Sequence, residues 1–327
     1  MSSIPAIDAN GLTKIYSNGR GCRDVTLTVG KGEAFGFLGP NGAGKSTFVK
    51  MLVGLLSPTD GQASILGHPL GSLEAKMKIG YLPELYRYQE WLTGEEVVRL
   101  HAKLCRIPKA DADRRIPQLL TEVGIGQRGK DRVKHYSKGM QQRLGLACAL
   151  VNEPEVLFLD EPSSALDPIG RMEVRRILQR LKERGITIFL NSHLLEDVEV
   201  LCDRMALLNG GAVLRHGSVA EMLSKQTTWR FKVGGYTPFL LSWLNEHTGL
   251  SVRQSAAAGN RAGGEPAPDD SIVWLEAELD HEEQAGWLNG LIVEQGMTLY
   301  EVIRQTQRLE GWFMDAVSGL NHRGEKE

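Results

Sequence analysis

The chain has 327 residues, room for two domains, and its 42% hydrophobic and 24% charged content is ordinary for a globular protein. A net charge of −2 gives no global basic field to attract nucleic acid or acidic lipid. The four cysteines, Cys22, Cys105, Cys148 and Cys202, form no C-x-x-C pair, which argues against a zinc site and a disulfide framework. Met1 to Pro5 lack the charged and apolar regions of a signal peptide. No apolar run approaches the ~18 residues of a membrane helix, so any work at a membrane goes through a partner.

Residues 6–29 read as short strands and turns, with Val25 to Val29 alternating as a half-buried strand should. Tyr16 lies on this segment. It is either a packed core aromatic or a flat platform on which a purine ring stacks. Ala34 to Leu38 is an apolar run with the length of a buried strand, and Phe48 to Val53 reads as a helix. Between them stands Gly39-Pro40-Asn41-Gly42-Ala43-Gly44-Lys45-Ser46-Thr47, which fits G-x-x-x-x-G-K-[ST] in its strand–loop–helix context. Glycines let the backbone wrap a polyphosphate with its N–H groups inward, and the following helix adds its positive dipole end. Lys45 is placed to reach β- and γ-phosphates, and the Ser46 hydroxyl to ligate Mg²⁺.

Ser57 to Gly61 is a turn, and Ala63 to Leu66 a short strand. Ile79 to Glu84 is a strand ending in a carboxylate. Tyr86 to Trp91 is dense in aromatics and expected at the surface, as a protein-contact face or as a patch folded inward. Residues 93–124 read as two helices broken at Ile107-Pro108. Ser137 sits at the N-cap position of an apolar helix that begins Lys138-Gly139-Met140.

Val156 to Leu159 is a buried strand with Asp160-Glu161 at its carboxyl end, where ligands of open α/β sheets bind. Adjacent carboxylates there need a metal or a proton-transfer task. Asp160 can hold Mg²⁺ through water, and Glu161 can polarise an attacking water. Ile186 to Leu190 is a further strand, running into His193, which is either a structural histidine or, just past a strand end in a sheet already carrying Lys45 and Glu161, a γ-phosphate sensor. Met205 to Leu214 is a hairpin, and Ser218 to Ser224 a short helix.

From Thr227 the character changes. Strands over 229–233, 251–253, 272–277 and 297–303 alternate with helices over 239–246 and 282–295, and a last helix covers 309–317. This order suggests a small ferredoxin-like α+β domain, interrupted by a flexible loop of Ala, Gly, Pro and Asp at 256–270.

Taken together, the motifs up to about Gln226 resemble an ATP-binding cassette (ABC) ATPase. Lys14-Ile15-Tyr16 is similar to the aromatic loop that stacks on adenine, and Gly39 to Thr47 to the Walker A loop. Glu84 stands at the Q-loop position, and Tyr136 to Met140 at the signature motif. Leu157 to Glu161 resembles the Walker B strand with its catalytic glutamate, Ser164 to Asp167 the D-loop, and His193 the switch histidine. Glu84, Lys138 and Met140 depart from the commonest family residues. Such departures, and a C-terminal domain with a terminal segment like Arg308 to Phe313, resemble the bacterial exporter branch whose ATPase and membrane subunits are separate chains.

The resemblance implies an α/β P-loop core over 1–226, with an antiparallel β subdomain and a helical subdomain near 85–150. The accessory domain is then 227–327. It implies ATP and Mg²⁺, with Ser46, Glu84 and Asp160 around the metal, Glu161 as general base, His193 on the γ-phosphate and Lys45 as electrostatic stabiliser. Two subunits would meet head to tail, each ATP also touching Ser137, Lys138, Gly139, Met140 and Asp167 of the other chain. Lys138 either points into solvent or adds a cation to the partner's site. An integral membrane permease would dock near Glu84 to Trp91, placing the chain on the cytoplasmic face of the inner membrane, with no nucleic acid. The alternative is a non-transport ABC ATPase acting on a macromolecule.

Overall fold

The structure, a computed structural model, describes residues 4–164, 166–224, 227–255, 272–279 and 281–306, together with Leu309 and Phe313. The chain forms two compact units, divided between Val219 and Ala220.

The first unit runs β1 (Ile7–Ile15), β2 (Gly21–Val29), β3 (Ala34–Leu38), α1 (Lys45–Leu52), β4 (Asp60–Ile65), β5 (His68–Pro69), α2 (Leu73–Met77) and β6 (Ile79–Leu82). It continues with α3 (Gly94–Leu104), α4 (Lys109–Glu122), α5 (Lys138–Leu150), β7 (Val156–Asp160), α6 (Pro168–Glu183) and β8 (Thr187–Asn191). It closes with α7 (Leu195–Leu201), β9 (Arg204–Asn209), β10 (Ala212–Ser218) and α8 (Val219–Ser224), whose first residue is the last of the unit.

One sheet has the order β10-β9-β3-β8-β7-β6 and is parallel except for the β9–β10 hairpin. Every residue of β3, β7 and β8 is buried, so these strands are continuous apolar runs, as expected where both faces of a parallel sheet are covered. Because the three are parallel neighbours, their carboxyl ends share one edge. That brings the loop after β3, the acidic pair after β7 and His193 after β8 together. Beneath them Phe35, Phe37, Phe48, Phe158 and Phe189 pack, with the Phe37 and Phe48 rings 5.0 Å apart, and this clamps α1 to the sheet. A second sheet, β2-β1-β4-β5, is antiparallel. Helices α3, α4 and α5 pack on one another.

Strands β1 and β2 are nine residues each, where the sequence suggested shorter pieces. Their pairing slips register on either side of Leu12, and Gly11 and Asp24 adopt positive φ, so bulges break the period-2 signal. The break at Pro108 falls as expected, between α3 and α4, and α3 opens with a capping box of Thr93 and Glu96. The aromatic segment after Glu84 is split. Leu85 and Trp91 are 86% and 70% exposed, but Tyr86 and Tyr88 turn inward to Gln142 and His101. Their rings cover apolar surface while each hydroxyl or ring edge finds a partner, so this part of the exposed face is corrected.

The second unit contains β11 (Thr227–Gly234), α9 (Pro238–Thr248), β12 (Val252–Ser255), β13 (Ile272–Glu278), α10 (Glu282–Glu294) and β14 (Thr298–Thr306). Its sheet is antiparallel in the order β12-β13-β11-β14, the arrangement that a split β-α-β chain produces. Phe231, Val233, Leu275 and Ala277 form its core with Leu240, Leu244, Leu288 and Ile292 of the helices. The loop expected at 256–270 lies outside the described residues. So does the final helix at 309–317, apart from Leu309 and Phe313.

Candidate functional site

The loop after β3 takes its shape from glycines that no other residue could replace without movement. Gly39 and Gly44 have φ of 154° and 103°, and a Cβ there would come within 2.2 Å of the Leu208 carbonyl oxygen and 2.3 Å of the Gly21 carbonyl oxygen. Helix α1 starts at Lys45 with Gly44 as N-cap and no side chain bonded to its first N–H groups. A helix start left in that condition offers donors and a positive end to an anion.

Lys45 is 6% exposed, and its Nζ donates to the carbonyl oxygens of Gly39 at 2.8 Å and Pro40 at 3.2 Å. Burial pulls its pKa below the usual lysine value, opposed by the charges of Glu161, Asp160 and Glu84. Ser46 Oγ donates to Asp160 Oδ1 at 3.3 Å, and Asn191 Nδ2 donates to the same oxygen. Asp160 is 2% exposed; burial raises its pKa, and those two hydrogen bonds work in the other direction.

Glu161 is 8% exposed and stands at φ 54°, a left-handed conformation that costs a non-glycine residue on the order of 1–2 kcal/mol. Its own N–H donates to the Asn191 carbonyl at 2.9 Å, which holds that conformation. Its Oε2 lies 2.7 Å from His193 Nδ1. Burial raises the Glu161 pKa, and the His193 ring beside it lowers it in part.

Lys45, Ser46, Glu161 and His193 open onto one cleft of about 540 Å³, within the usual range for a ligand pocket of roughly 300–1,000 Å³, while Asp160 lies behind Ser46 and is not among the lining residues. Asn41, Gly42, Gly44, Lys45, Ser46 and Thr47 line it, with Tyr16, Glu84, Glu161 and His193. Gly39, Pro40 and Ala43 shape the loop without lining the cleft. Tyr16 is 40% exposed, so the packed-core alternative for it falls.

Mg²⁺ fits the residues present. Among the described residues no group of three or more His, Cys, Asp or Glu side chains could hold a metal. The Ser46 hydroxyl and the Asp160 and Glu84 carboxylates are hard oxygen donors, a set suited to a cation that takes its remaining ligands from water and substrate phosphates.

Ser137, Lys138, Gly139, Met140 and Asp167 do not line this cleft. Ser137 and Lys138 are exposed, and the Ser137 hydroxyl caps α5 by accepting from Met140 N at 3.2 Å. Asp167 caps α6, accepting from Gly170 N at 2.7 Å. Of the loop from Ser164 to Asp167, Ala165 lies outside the described residues. Arg143, given no role by the sequence, ties the two helix starts together. It donates to the Gly139 carbonyl at 3.3 Å and to Glu173 of α6 at 2.8 Å.

Asn191 was also passed over. Its signal was a polar residue ending a fully buried strand, directly across from Asp160 in register. Asn18 and Arg20, which line the cleft beside Tyr16, carried no signal.

The family model described as ABC transporter matches residues 22–164. The bacitracin transport ATP-binding protein BcrA of Bacillus licheniformis is 34% identical over 98% of this chain and 99% of its own length. The linearmycin resistance ATP-binding protein LnrL of Bacillus subtilis (strain 168) is 32% identical over 94% of this chain and 97% of its own. Among solved structures, a dimeric ATP-binding cassette in a post-hydrolysis state, bound to ADP and Pi, is 25% identical with a TM-score of 0.59, covering 65% of this chain and 98% of that one.

Proposed function

The chain belongs to the ABC transporter ATP-binding proteins, and from that premise we propose that it is the ATP-hydrolysing subunit of an exporter driven by head-to-tail dimer closure. The observation that carries the reading is the join of buried Lys45, Asp160 and the Glu161–His193 pair at one sheet edge. Relatives named for bacitracin transport and linearmycin resistance match over nearly the whole chain, and resistance to a toxic compound calls for outward movement.

In the proposed reaction the loop N–H groups and Lys45 hold the β- and γ-phosphates, and Tyr16 stacks on the adenine. Glu161 accepts a proton from the attacking water. His193 fixes the carboxylate's orientation and contacts the γ-phosphate. Ser46, Asp160 and Glu84 would hold Mg²⁺, which supplies neutralisation of phosphate charge. Catalysis is then mainly positioning and charge stabilisation.

Ser137 to Met140 and Asp167 are assigned to the partner's ATP, because they lie at exposed or half-exposed helix starts and do not line the chain's own cleft. A separate integral membrane permease is assigned to the face carrying Leu85 and Trp91, whose exposed apolar surface suits a protein contact. No helix among the described residues is long and apolar enough to cross a membrane. The chain would then work as a peripheral subunit on the cytoplasmic face.

The test is hydrolysis measured against protein concentration. The specific rate should rise steeply as dimers form. Full activity at a dilution where only monomer is detectable would reject the composite site.

A further inference from the structure

Asn191 ends β8 with its side chain 0% exposed, directly across from Asp160 on β7. Two bonds tie it to the acidic pair: its Nδ2 donates to Asp160 Oδ1, and its carbonyl accepts from Glu161 N at 2.9 Å. Two residues on, His193 Nδ1 meets Glu161 Oε2 at 2.7 Å. One residue therefore touches both members of the acidic pair, the Asp160 carboxylate through its side chain and the Glu161 backbone N–H through its carbonyl. The amide orientation is dictated, because turning Oδ1 toward Asp160 would set oxygen against a carboxylate.

That orientation leaves Asn191 Oδ1 buried without a hydrogen-bond partner among the described residues. A residue kept only for folding would satisfy both ends of its amide, or be apolar like Ile188, Phe189 and Leu190 before it. A buried polar exception beside the acidic pair is the kind of local departure that functional sites carry. Among the described residues the hydrogen bonds to Asp160 both fall on Oδ1, from Asn191 and Ser46. They orient the carboxylate and leave Oδ2 for other ligands.

We propose that Asn191 is a positioning residue that sets the Asp160 carboxylate for Mg²⁺ and holds it in fixed relation to Glu161. The proposal rests on the assignment of this cleft to Mg²⁺ and ATP. It goes beyond it by giving the orientation of Asp160 to a side chain that touches neither. Second-sphere partners of metal-binding carboxylates typically govern metal affinity by about 10–100-fold.

The full chain tests it with two near-isosteric variants, Asn191→Val and Asn191→Thr, the second retaining a donor. ATP binding is measured by calorimetry in EDTA and again across a Mg²⁺ titration, without relying on turnover. Asn191→Val should bind ATP in EDTA as the parent does, yet need about 10–100-fold more Mg²⁺ to gain its Mg²⁺-dependent affinity. Asn191→Thr should recover most of that. Asn191→Ala and Asn191→Ser repeat the comparison with smaller side chains. Equal Mg²⁺ requirements within the pairs overturn the proposal. So does a pattern in which both apolar variants fail to fold while Thr and Ser fold, since Asn191 would then be a structural hydrogen-bonding residue. A parent chain whose ATP binding ignores Mg²⁺ would instead reject the metal assignment itself.

Discussion

In the cleft, Lys45, Asp160 and Glu161 are 6%, 2% and 8% exposed and every one is tied to a neighbour, whereas at the start of α5 Ser137 and Lys138 lie in solvent. The Ser137 hydroxyl bonds to the backbone of its own helix. Burying three charged groups is costly unless each is paired or needed, so the cleft is organised before any ligand arrives. The start of α5 has paid nothing of the kind. It is a capped, exposed helix end with an anion-seeking dipole. The difference between a finished half-site and an open one is what the head-to-tail assignment explains.

The largest effect should come from the finished half. Glu161→Gln keeps size and hydrogen bonding but removes the base, and turnover should fall by about 10²–10⁴ while ATP binding persists. Steady-state hydrolysis beside equilibrium binding checks this. A Glu161→Gln protein with the parental rate removes Glu161 from the role.

Lys45→Ala should instead act on binding. Losing a charged donor to the phosphates costs about 1.5–3 kcal/mol, or roughly 10–100-fold in affinity. This variant also joins the two halves in one experiment. With ATP held well below the weakened affinity, Lys45→Ala subunits and Ser137→Arg subunits should each hydrolyse little alone. In a mixed dimer both lesions fall on one composite site and leave the other intact, so mixing should restore part of the hydrolysis. No recovery on mixing, with heterodimers shown to form, would mean one site cannot work alone or Ser137 does not serve the partner's ATP.

The finished half was also the legible half. Gly39 to Thr47 is a contiguous run whose chemistry follows from residue types at fixed spacing, and Asp160, Glu161 and His193 fall at or just beyond the ends of buried strands. Asn191 carried only the signal of a polar residue closing an apolar strand, and its role comes from strand register across β7 and β8, which is a three-dimensional fact. Arg143 was missed for a similar reason. Its partner Glu173 is thirty positions away on α6, and an arginine on a helix reads as a solvated charge. In the fold, the fully buried strands β3, β7 and β8 were read to within a residue, β4 (Asp60–Ile65) was begun three residues late because Asp60-Gly61 reads as a turn, and the bulged β1 and β2 were cut short because positive φ at Gly11 and Asp24 breaks alternation.

A smaller effect separates the halves by pH. Burial raises Glu161 above the ordinary carboxylate value, while a base must be ionised to act. The acid limb of kcat should therefore lie at higher pH than an ordinary carboxylate would give. The same shift has a stability consequence. With the folded pKa above the unfolded one, the native state holds the proton more tightly. Stability from Glu161 is thus full below the unfolded value and lost as pH rises through the folded value. Denaturant unfolding across that window should show a shallower loss in Glu161→Gln. An acid limb in the ordinary carboxylate range would separate the kinetic base from this residue.

The smallest effect should come from Glu84, which is exposed and lines the cleft from the loop after β6. Its task in the proposed site is to present an oxygen near the metal, and an amide oxygen can do that with less charge. Glu84→Gln should therefore lower hydrolysis only slightly. Glu84→Ala removes the oxygen, and the same loop leads into Leu85 and Trp91, so its loss should fall on coupling to the permease more than on ATP binding. Reconstituting each variant with its membrane partner and comparing the stimulation of hydrolysis distinguishes the two. If Glu84→Gln collapses to the level of Glu161→Gln, Glu84 transfers protons, and the cleft then holds a second base outside its buried edge.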